Sequence, residues 1–149
     1  MDASHKSKKH QPNIVKQTEA ISIKKANGTE VDYYLFDAFE IHTNVIPAGC
    51  VQDWHVHKKI EEIIVINKGC ILLEWLETDI IKEEVRSGEI IRMNSSIHRI
   101  SNKGESEAIC TIFRFVSPIE DQSEVIKNDK KSYSSEEIKQ KILANKTIL

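Results

Sequence analysis

Residues 49–69, GCVQDWHVHKKIEEIIVINKG, hold the pattern that decides the fold. His55 and His57 alternate along a run typical of an extended strand, so both side chains emerge on one face, about 6–7 Å apart. Glu62 follows in the next apolar run, and His98 comes much later. Imidazole nitrogens and carboxylate oxygens are ligands that divalent Zn, Fe, Mn, Ni and Cu accept. Three imidazoles and one carboxylate are therefore predicted to hold a divalent ion and to leave one or two positions open for water or substrate.

The rest of the chain predicts an all-β fold. Short runs rich in isoleucine, valine and aromatic residues are separated by turn residues, with no helical segment between them. Strands at such regular spacing are typical of a sandwich or a barrel. Asn27-Gly28 predicts a two-residue hairpin turn between runs 19–25 and 29–36, in which both turn residues need a positive φ.

A short helix is predicted near the C-terminus, over Ser135–Ala144. Ser134 and Glu137 form a capping box, in which each side chain bonds the backbone N–H of the other residue. Tyr133 and Ile138 occupy the two positions of a hydrophobic staple. The helix is expected to pack on the barrel or on a partner chain through its apolar stripe.

Length and composition indicate one compact domain. The chain has 149 residues, of which 40% are hydrophobic, enough for one real core and too few for two ordinary domains. The expected organisation is a flexible, polar, lysine-rich tail over residues 1–13 and a barrel over residues 14–118. A C-terminal extension over residues 119–149 carries the helix.

Charge and hydropathy restrict the partners. With 21 basic and 23 acidic residues the net charge is −2, so no global field attracts nucleic acid and no direct nucleic-acid partner is expected. No apolar run approaches the roughly 20 residues that cross a bilayer, and no apolar segment follows the basic N-terminal cluster. We therefore expect a cytoplasmic protein without a membrane partner. The open positions at the predicted metal site indicate a small-molecule ligand or substrate. Cys50, Cys70 and Cys110 form no CxxC pair and are expected to be small hydrophobes in a reducing compartment.

The opening stretch resembles the first motif of the cupin superfamily: glycine, five residues, His-x-His, three or four residues, glutamate, six residues, glycine. Residues 49–69 fit this motif throughout. With the final glycine fixed at Gly69, the ligand-like carboxylate is Glu62 rather than the adjacent Glu61. Strand parity supports this choice, because Glu62 would share the inner face with the isoleucines two and four residues later.

Residues 88–102, GEIIRMNSSIHRISN, are similar to the second cupin motif. They keep its first glycine, its histidine (His98) and its asparagine (Asn102). The stretch departs from the motif at residues 93–96, which contain neither proline nor glycine, and it is one residue shorter. We expect this turn to be built differently, with Asn94 in the left-handed conformation.

The resemblance covers about residues 30–117 and implies a cupin-type double-stranded β-helix, or jelly-roll barrel. Carried over residue by residue, it implies that His55, His57, Glu62 and His98 hold a divalent transition metal inside the barrel. The donor set does not decide between Fe, Mn, Ni, Cu and Zn. Small cupins commonly cover their edge strands by dimerisation, so a homodimer is expected, with the N-terminal hairpin as the pairing segment.

Three functions are compatible with such a site. A redox-active metal would bind substrate and O₂, as in a dioxygenase, and a redox-inert metal would polarise a carbonyl or enediolate, as in sugar isomerases and decarboxylases. The alternative is a non-catalytic module that binds or senses a sugar or carboxylate. Isomerase or decarboxylase chemistry needs a general acid or base. His42, on one strand face with Glu40 and Asn44, is the candidate, and a surface position is the other interpretation. Lys58 and Lys59 would attract an acidic substrate or form a solvated loop.

Overall fold

The computed structural model describes residues 10–116, 126 and 128–147. Within this part, two antiparallel sheets face each other, with strand orders β1-β2-β3-β10-β5-β8 and β11-β4-β9-β6-β7. After a 3₁₀ turn, Gln17–Glu19, the elements are β1 (Ile21–Lys24), β2 (Glu30–Leu35), β3 (Phe39–Ile46), β4 (Trp54–His57), β5 (Glu61–Lys68), β6 (Cys70–Leu76), β7 (Ile80–Arg86), β8 (Ile90–Arg92), β9 (His98–Ser101), β10 (Ala108–Phe115), β11 (Lys130–Tyr133) and α1 (Ser135–Thr147). The predicted all-β fold with a C-terminal helix is confirmed.

The core lies between the two sheets and follows strand parity. In β5, Glu62, Ile64 and Ile66 are buried, whereas the alternate residues Ile63 and Val65 are only half-buried. This is the predicted alternation, since successive side chains of a strand point to opposite faces. Each inward row adds its isoleucines and small residues to one cluster, which includes Ile46, Ile64, Ile66, Ile71, Ile100, Cys110 and Ile112.

The hairpin between β1 and β2 turns differently from the prediction. Gly28 has φ +94°, but Asn27 does not have a positive φ, so the two-residue turn is wrong. Instead Gly28 N–H donates to Lys25 O at 2.9 Å, and Lys25 N–H donates to Thr29 O at 2.8 Å. This is a three-residue loop in which a left-handed glycine follows the turn. The Asn27 side chain also accepts the Thr29 N–H at 3.0 Å, which favours this arrangement.

A second apolar cluster lies on the outer face of the β4 sheet. Trp54 and Val56 point away from the core and pack with Tyr133 and Ile138. The Glu137 N–H donates to Ser134 Oγ at 3.1 Å, so the helix begins as predicted. Helix α1 continues to residue 147, three residues beyond the predicted end.

Strand pairing shows which terminal segments belong to the two sheets. Strand β11 lies beyond residue 118, yet it pairs with β4 in the second sheet. The N-terminal hairpin pairs with β3 of the same chain. Residues 1–9 and 117–125 lie outside the described residues, so the flexible tail and the domain limits stay predictions. No helix in the described ranges is long and apolar enough to cross a membrane.

Ile138 and Leu143 provide a matched test of the helix packing. Ile138 is 1% exposed in the outer cluster, whereas Leu143 of the same helix is 65% exposed. We expect Ile138→Ala to lower the free energy of unfolding by about 2–4 kcal/mol, because it leaves a cavity. Leu143→Ala should cost less than about 1 kcal/mol. Equal losses in urea unfolding would contradict the packing described here.

Candidate metal centre

Three of the predicted ligands converge on one point between the sheets. His55 on β4 and His98 on β9 are directly opposite in the strand register, and Glu62 faces them from β5 of the other sheet. Each of the three offers a ligand atom, and these atoms all lie within 4.8 Å of one another. The three residues are between 1% and 6% exposed. This buried His–Glu–His group is close enough to share a metal ion.

His57 approaches the same carboxylate from another side. Its Nε2 lies 3.3 Å from Glu62 Oε2, whereas His98 Nε2 lies 3.5 Å from Glu62 Oε1. The His57 and His55 rings meet edge to face, with 5.2 Å between their centroids. His57 does not belong to the group whose ligand atoms lie within 4.8 Å. The structure thus brings three predicted ligands together and places the fourth beside their carboxylate.

Backbone carbonyls fix the orientation of two imidazoles. His55 Nδ1 lies 2.9 Å from Asp53 O, and His98 Nδ1 lies 2.9 Å from Ser96 O. A carbonyl oxygen only accepts, so each Nδ1 must carry the proton, and each Nε2 of the neutral ring keeps a free lone pair. An Nδ1–H held in this way is the usual support of a histidine that binds metal through Nε2.

The protonation states suit a cation. Burial lowers the pKa of His55 to about 3, with a further effect from the nearby His98, and burial lowers the pKa of His57 to about 4. Burial alone would raise the pKa of Glu62, but the charge of the Arg114 guanidinium, which donates to the carboxylate, holds that pKa well below its usual value. Neutral imidazoles around an ionised carboxylate are the forms that bind a divalent ion.

Arg114 holds the carboxylate in place. It lies opposite Glu62 on one side and opposite Glu40 on the other in the register of β10 with its neighbours. Arg114 Nε donates to Glu62 Oε2 at 2.7 Å, and Arg114 NH1 donates to Glu40 Oε1 at 3.4 Å. The charge-assisted bond of 2.7 Å from Arg114 Nε fixes the rotation of the Glu62 side chain.

Of the two interpretations left open for His42, the inward position on β3 is the correct one. Glu40, His42 and Asn44 are all buried, so the surface interpretation of His42 is wrong. His42 Nδ1 lies 3.0 Å from Asn44 Oδ1, and its ring stacks on Tyr33 with 5.0 Å between centroids. Burial, and then the charge of Arg114, lower the pKa of His42 to about 3. His42 is therefore neutral at physiological pH.

Other residues separate clearly into inner and outer groups. Glu61 points outward and accepts a hydrogen bond from Arg92 Nε at 2.7 Å, which supports the choice of Glu62. Lys58 and Lys59 are exposed and do not line the cavity beside the site. Lys130, which sequence reasoning missed, does line it. Its position in the β11–β4 ladder had no signal in the sequence, because β11 is a polar run of four residues.

The atypical turn before His98 takes the conformation expected of Asn94. Asn94 has φ 49° and Ser95 has φ 56°, and the Ser96 N–H donates to Met93 O at 3.0 Å. Two successive left-handed residues define a type I′ turn, which here is built without glycine. The turn ends at Ser96, whose carbonyl accepts the His98 Nδ1–H, so the chain is correctly placed for His98 despite the altered sequence.

A cavity of about 430 Å³ opens beside the site and is large enough for a small organic molecule. His55, Glu62 and Arg114 line its polar side, and Ile64 and Ile112 belong to its apolar wall. A second cavity of similar volume, between β6, β7 and β8, is lined by none of the four predicted ligands. The first cavity is therefore the one that can present a ligand to the candidate centre.

Several solved structures share this architecture at low sequence identity. The capsular polysaccharide assembling protein CapF from Staphylococcus aureus superposes with a TM-score of 0.61 and 14% identity, over 77% of this chain and 34% of that chain. Oxalate oxidase in complex with the substrate analogue glycolate gives 0.57 and 20%, over 69% and 59%. A Cupin 2 conserved barrel domain protein from Salinispora arenicola gives 0.58 and 16%, over 72% and 91%. No protein-family model and no curated protein matches the sequence.

These structural neighbours are cupins, and this chain has the cupin fold. The resemblance found in the two motifs is thereby confirmed for the architecture. The chain spans only 34% of the length of CapF and 59% of that of oxalate oxidase, so the similarity concerns the barrel and not those whole proteins.

Neighbouring serines test the turn before His98. Ser95 is exposed and has φ 56°, where an L-residue is strained and glycine is not. We expect Ser95→Gly to raise the free energy of unfolding by about 0.5–1 kcal/mol. Ser96→Gly, at a residue without positive φ, should lower it by a similar amount. Thermal or urea unfolding that shifts both variants in the same direction would contradict the type I′ turn.

The buried histidines predict acid sensitivity of the metal-free protein. The folded-state pKa values of His42, His55 and His57 lie at about 3, 3 and 4, below the 6.5 of a free histidine. The unfolded chain therefore binds more protons between pH 6.5 and 4, and stability must fall as pH falls through that window. Each histidine contributes a slope of at most about 1.4 kcal/mol per pH unit. The raised pKa of Glu40 acts in the opposite direction and reduces the net slope.

Urea unfolding of chelator-treated protein at pH 6.5, 5.5 and 4.5 measures this slope. In His42→Gln the slope should decrease by about the contribution of one histidine. A free energy of unfolding that stays constant from pH 6.5 to 4.5 would contradict the buried, neutral state of these rings.

Proposed function

We propose that this protein is a metal-dependent cupin that holds a divalent transition metal through His55, His57, Glu62 and His98 and acts on a small molecule. One observation carries the proposal: buried imidazole nitrogens that point at an ionised carboxylate have no hydrogen-bond partner in the described part of the chain. They are Nε2 of His98, 3.5 Å from Glu62 Oε1, and Nε2 of His57, 3.3 Å from Glu62 Oε2. A buried polar atom without a partner costs about 1–3 kcal/mol, which a bound cation would offset.

The surroundings of the four residues support the same conclusion. Nδ1 of His55 and of His98 is already held by a backbone carbonyl, so the remaining lone pairs are directed by the fold before any ion arrives. Arg114 keeps Glu62 ionised and fixed. Fe, Mn, Ni, Cu and Zn all accept this donor set, and the identity of the metal is left to experiment.

Among the predicted enzymatic functions, dioxygenase-like chemistry is the one that does not depend on His42. A divalent ion with open positions would supply redox or Lewis-acid chemistry at the cavity. Sugar isomerase or decarboxylase chemistry also needs a protein acid or base. His42, the candidate predicted from the sequence, does not line the cavity beside the site, and its pKa of about 3 makes it a weak base at neutral pH. A reaction that takes its reactivity from metal and O₂ does not require that residue.

The alternative is a non-catalytic module that binds or senses a small sugar or carboxylate. The cavity and the electrostatics fit this function as well, and oxalate oxidase, one structural neighbour, was solved with glycolate bound. Oxygen uptake separates the two proposals, because a binding module consumes none. We further propose that the protein is a cytoplasmic homodimer.

Metal analysis tests the centre with a matched pair of glutamates. Protein purified without a histidine tag should contain about one divalent ion per chain, and His55→Ala and Glu62→Ala should each lower metal affinity at least about tenfold. Glu61→Ala is the control, because Glu61 lies outside the barrel wall beside Arg92. The same measurement on His57→Ala tests whether His57 is the fourth ligand. Circular dichroism should show the β-fold retained in every variant.

Undiminished metal in the His55→Ala/Glu62→Ala double variant would refute the site. Equal losses in Glu61→Ala and Glu62→Ala would refute the assignment of the carboxylate. Binding of Mn²⁺, Fe²⁺, Ni²⁺, Cu²⁺ and Zn²⁺ to the stripped protein, measured by calorimetry, covers the case in which purification removes the ion.

A further inference from the structure

Positive charge is concentrated at the cavity beside the candidate centre. Lys25, Arg114 and Lys130 all line it, and they come from three separate parts of the chain. Lys25 precedes the β1–β2 turn, and Arg114 lies on β10. Lys130 begins β11 and is directly opposite His57 in the antiparallel register. Side chains directly opposite in such a pair lie on the same face, so Lys130 is on the same face as the ligands and lines the exposed side of the cavity.

Two of these cations have no counter-ion among the residues that the structure describes. Arg114 is bonded to Glu40 and Glu62, but no carboxylate in the described residues forms an ion pair with Lys25 or Lys130. Burial lowers the pKa of Lys25, and the nearby charges of Lys130 and Arg114 lower it further. Asp53, at the exposed rim, is the acidic lining residue other than Glu62 among those described. Two ammonium groups that repel each other across a cavity would be stabilised by an anion between them.

The remainder of the cavity is apolar. Ile64, Ile100 and Ile112 belong to its wall, and Asn44 and Gln52 add neutral hydrogen-bonding groups. An inorganic anion would leave the isoleucines without a partner, whereas a fully apolar molecule would leave the two lysines without one. The lining therefore fits a molecule with an apolar body and one charged end.

We propose that Lys25 and Lys130 form an anion subsite for the ligand of this barrel, which is a small organic carboxylate. The carboxylate lies between the two ammonium groups, and the body of the molecule contacts Ile64, Ile100 and Ile112. This inference names the ligand class of the proposed metal centre and rests on that proposal for the location of the opposite end of the molecule. The subsite itself consists of protein groups alone.

Each lysine has a neighbour that serves as a control. Lys24 lies next to Lys25, but its side chain is 72% exposed and pairs with Glu30 at 4.0 Å. Lys131 follows Lys130, but its ammonium lies over the ring of Tyr133 on the outer face, 5.2 Å from the ring centroid. Replacing Lys24 or Lys131 removes the same charge from the chain without changing the cavity.

The test compares carboxylates with their uncharged amides by calorimetry. The probes are benzoate, hexanoate and succinate, with benzamide, hexanamide and succinamide, on protein as purified and after removal of metal by chelator. At least one carboxylate should bind ten or more times more tightly than its amide. Lys25→Ala and Lys130→Ala should each weaken it at least about fivefold, and Lys24→Ala and Lys131→Ala less than twofold. Inorganic phosphate should bind more weakly than the best carboxylate.

The outcomes separate this inference from the metal proposal. Lysine variants that match their controls while the metal content is unchanged would overturn the subsite and leave the metal centre intact. Equal binding of acid and amide, no carboxylate binding below about 10 mM, or tighter binding of phosphate would also overturn it. A lysine-dependent preference for carboxylate in protein that binds no metal would support the subsite and refute the metal centre.

Discussion

The contact between the Arg114 guanidinium and the Glu62 carboxylate is the interaction on which the interior depends. A carboxylate at 3% exposure is expensive to keep charged, and burial by itself would neutralise it. The arginine makes the charged form stable by a bond of 2.7 Å. The imidazoles of His55, His57 and His98 lie around that fixed charge. The arginine is thus as much a part of the centre as the residues that face it.

Strand register turns this local contact into a site. Arg114 sits opposite Glu62 and Glu40, and His55 sits opposite His98, because antiparallel ladders bring residues distant in sequence side by side. A shift of any ladder by one residue would move its inward row to solvent. Buried isoleucines continue the same inward rows as these polar groups, so the burial of the isoleucines holds the register that brings the polar groups together.

Much of this arrangement could be predicted from the sequence, because it depends on local sequence patterns. Period-two alternation and metal-ligand spacing are local, so the inward position of Glu62 followed from parity. Parity also put Glu40 and His42 on one shared face of β3, but it did not decide whether that face is inside or at the surface. The left-handed Asn94 followed from residue chemistry. What could not be predicted depends on distant pairing. The facing of Arg114 required knowledge of both neighbours of β10, and the role of Lys130 required the β11–β4 ladder. The hairpin turn was wrong because Asn27-Gly28 fits more than one loop, and the Asn27 side chain decided between them.

Strand β11 and helix α1 support strand β4, so they belong to the same structural unit as the barrel. Strand β4 carries two of the candidate ligands and has only four residues. Without β11 it would be an open margin of its sheet, with unpaired backbone groups on one side. Trp54 and Val56 would also lose the cover of Tyr133 and Ile138. The C-terminal segment therefore stabilises the strand that carries His55 and His57. A barrel that ends before β11 would lack this support.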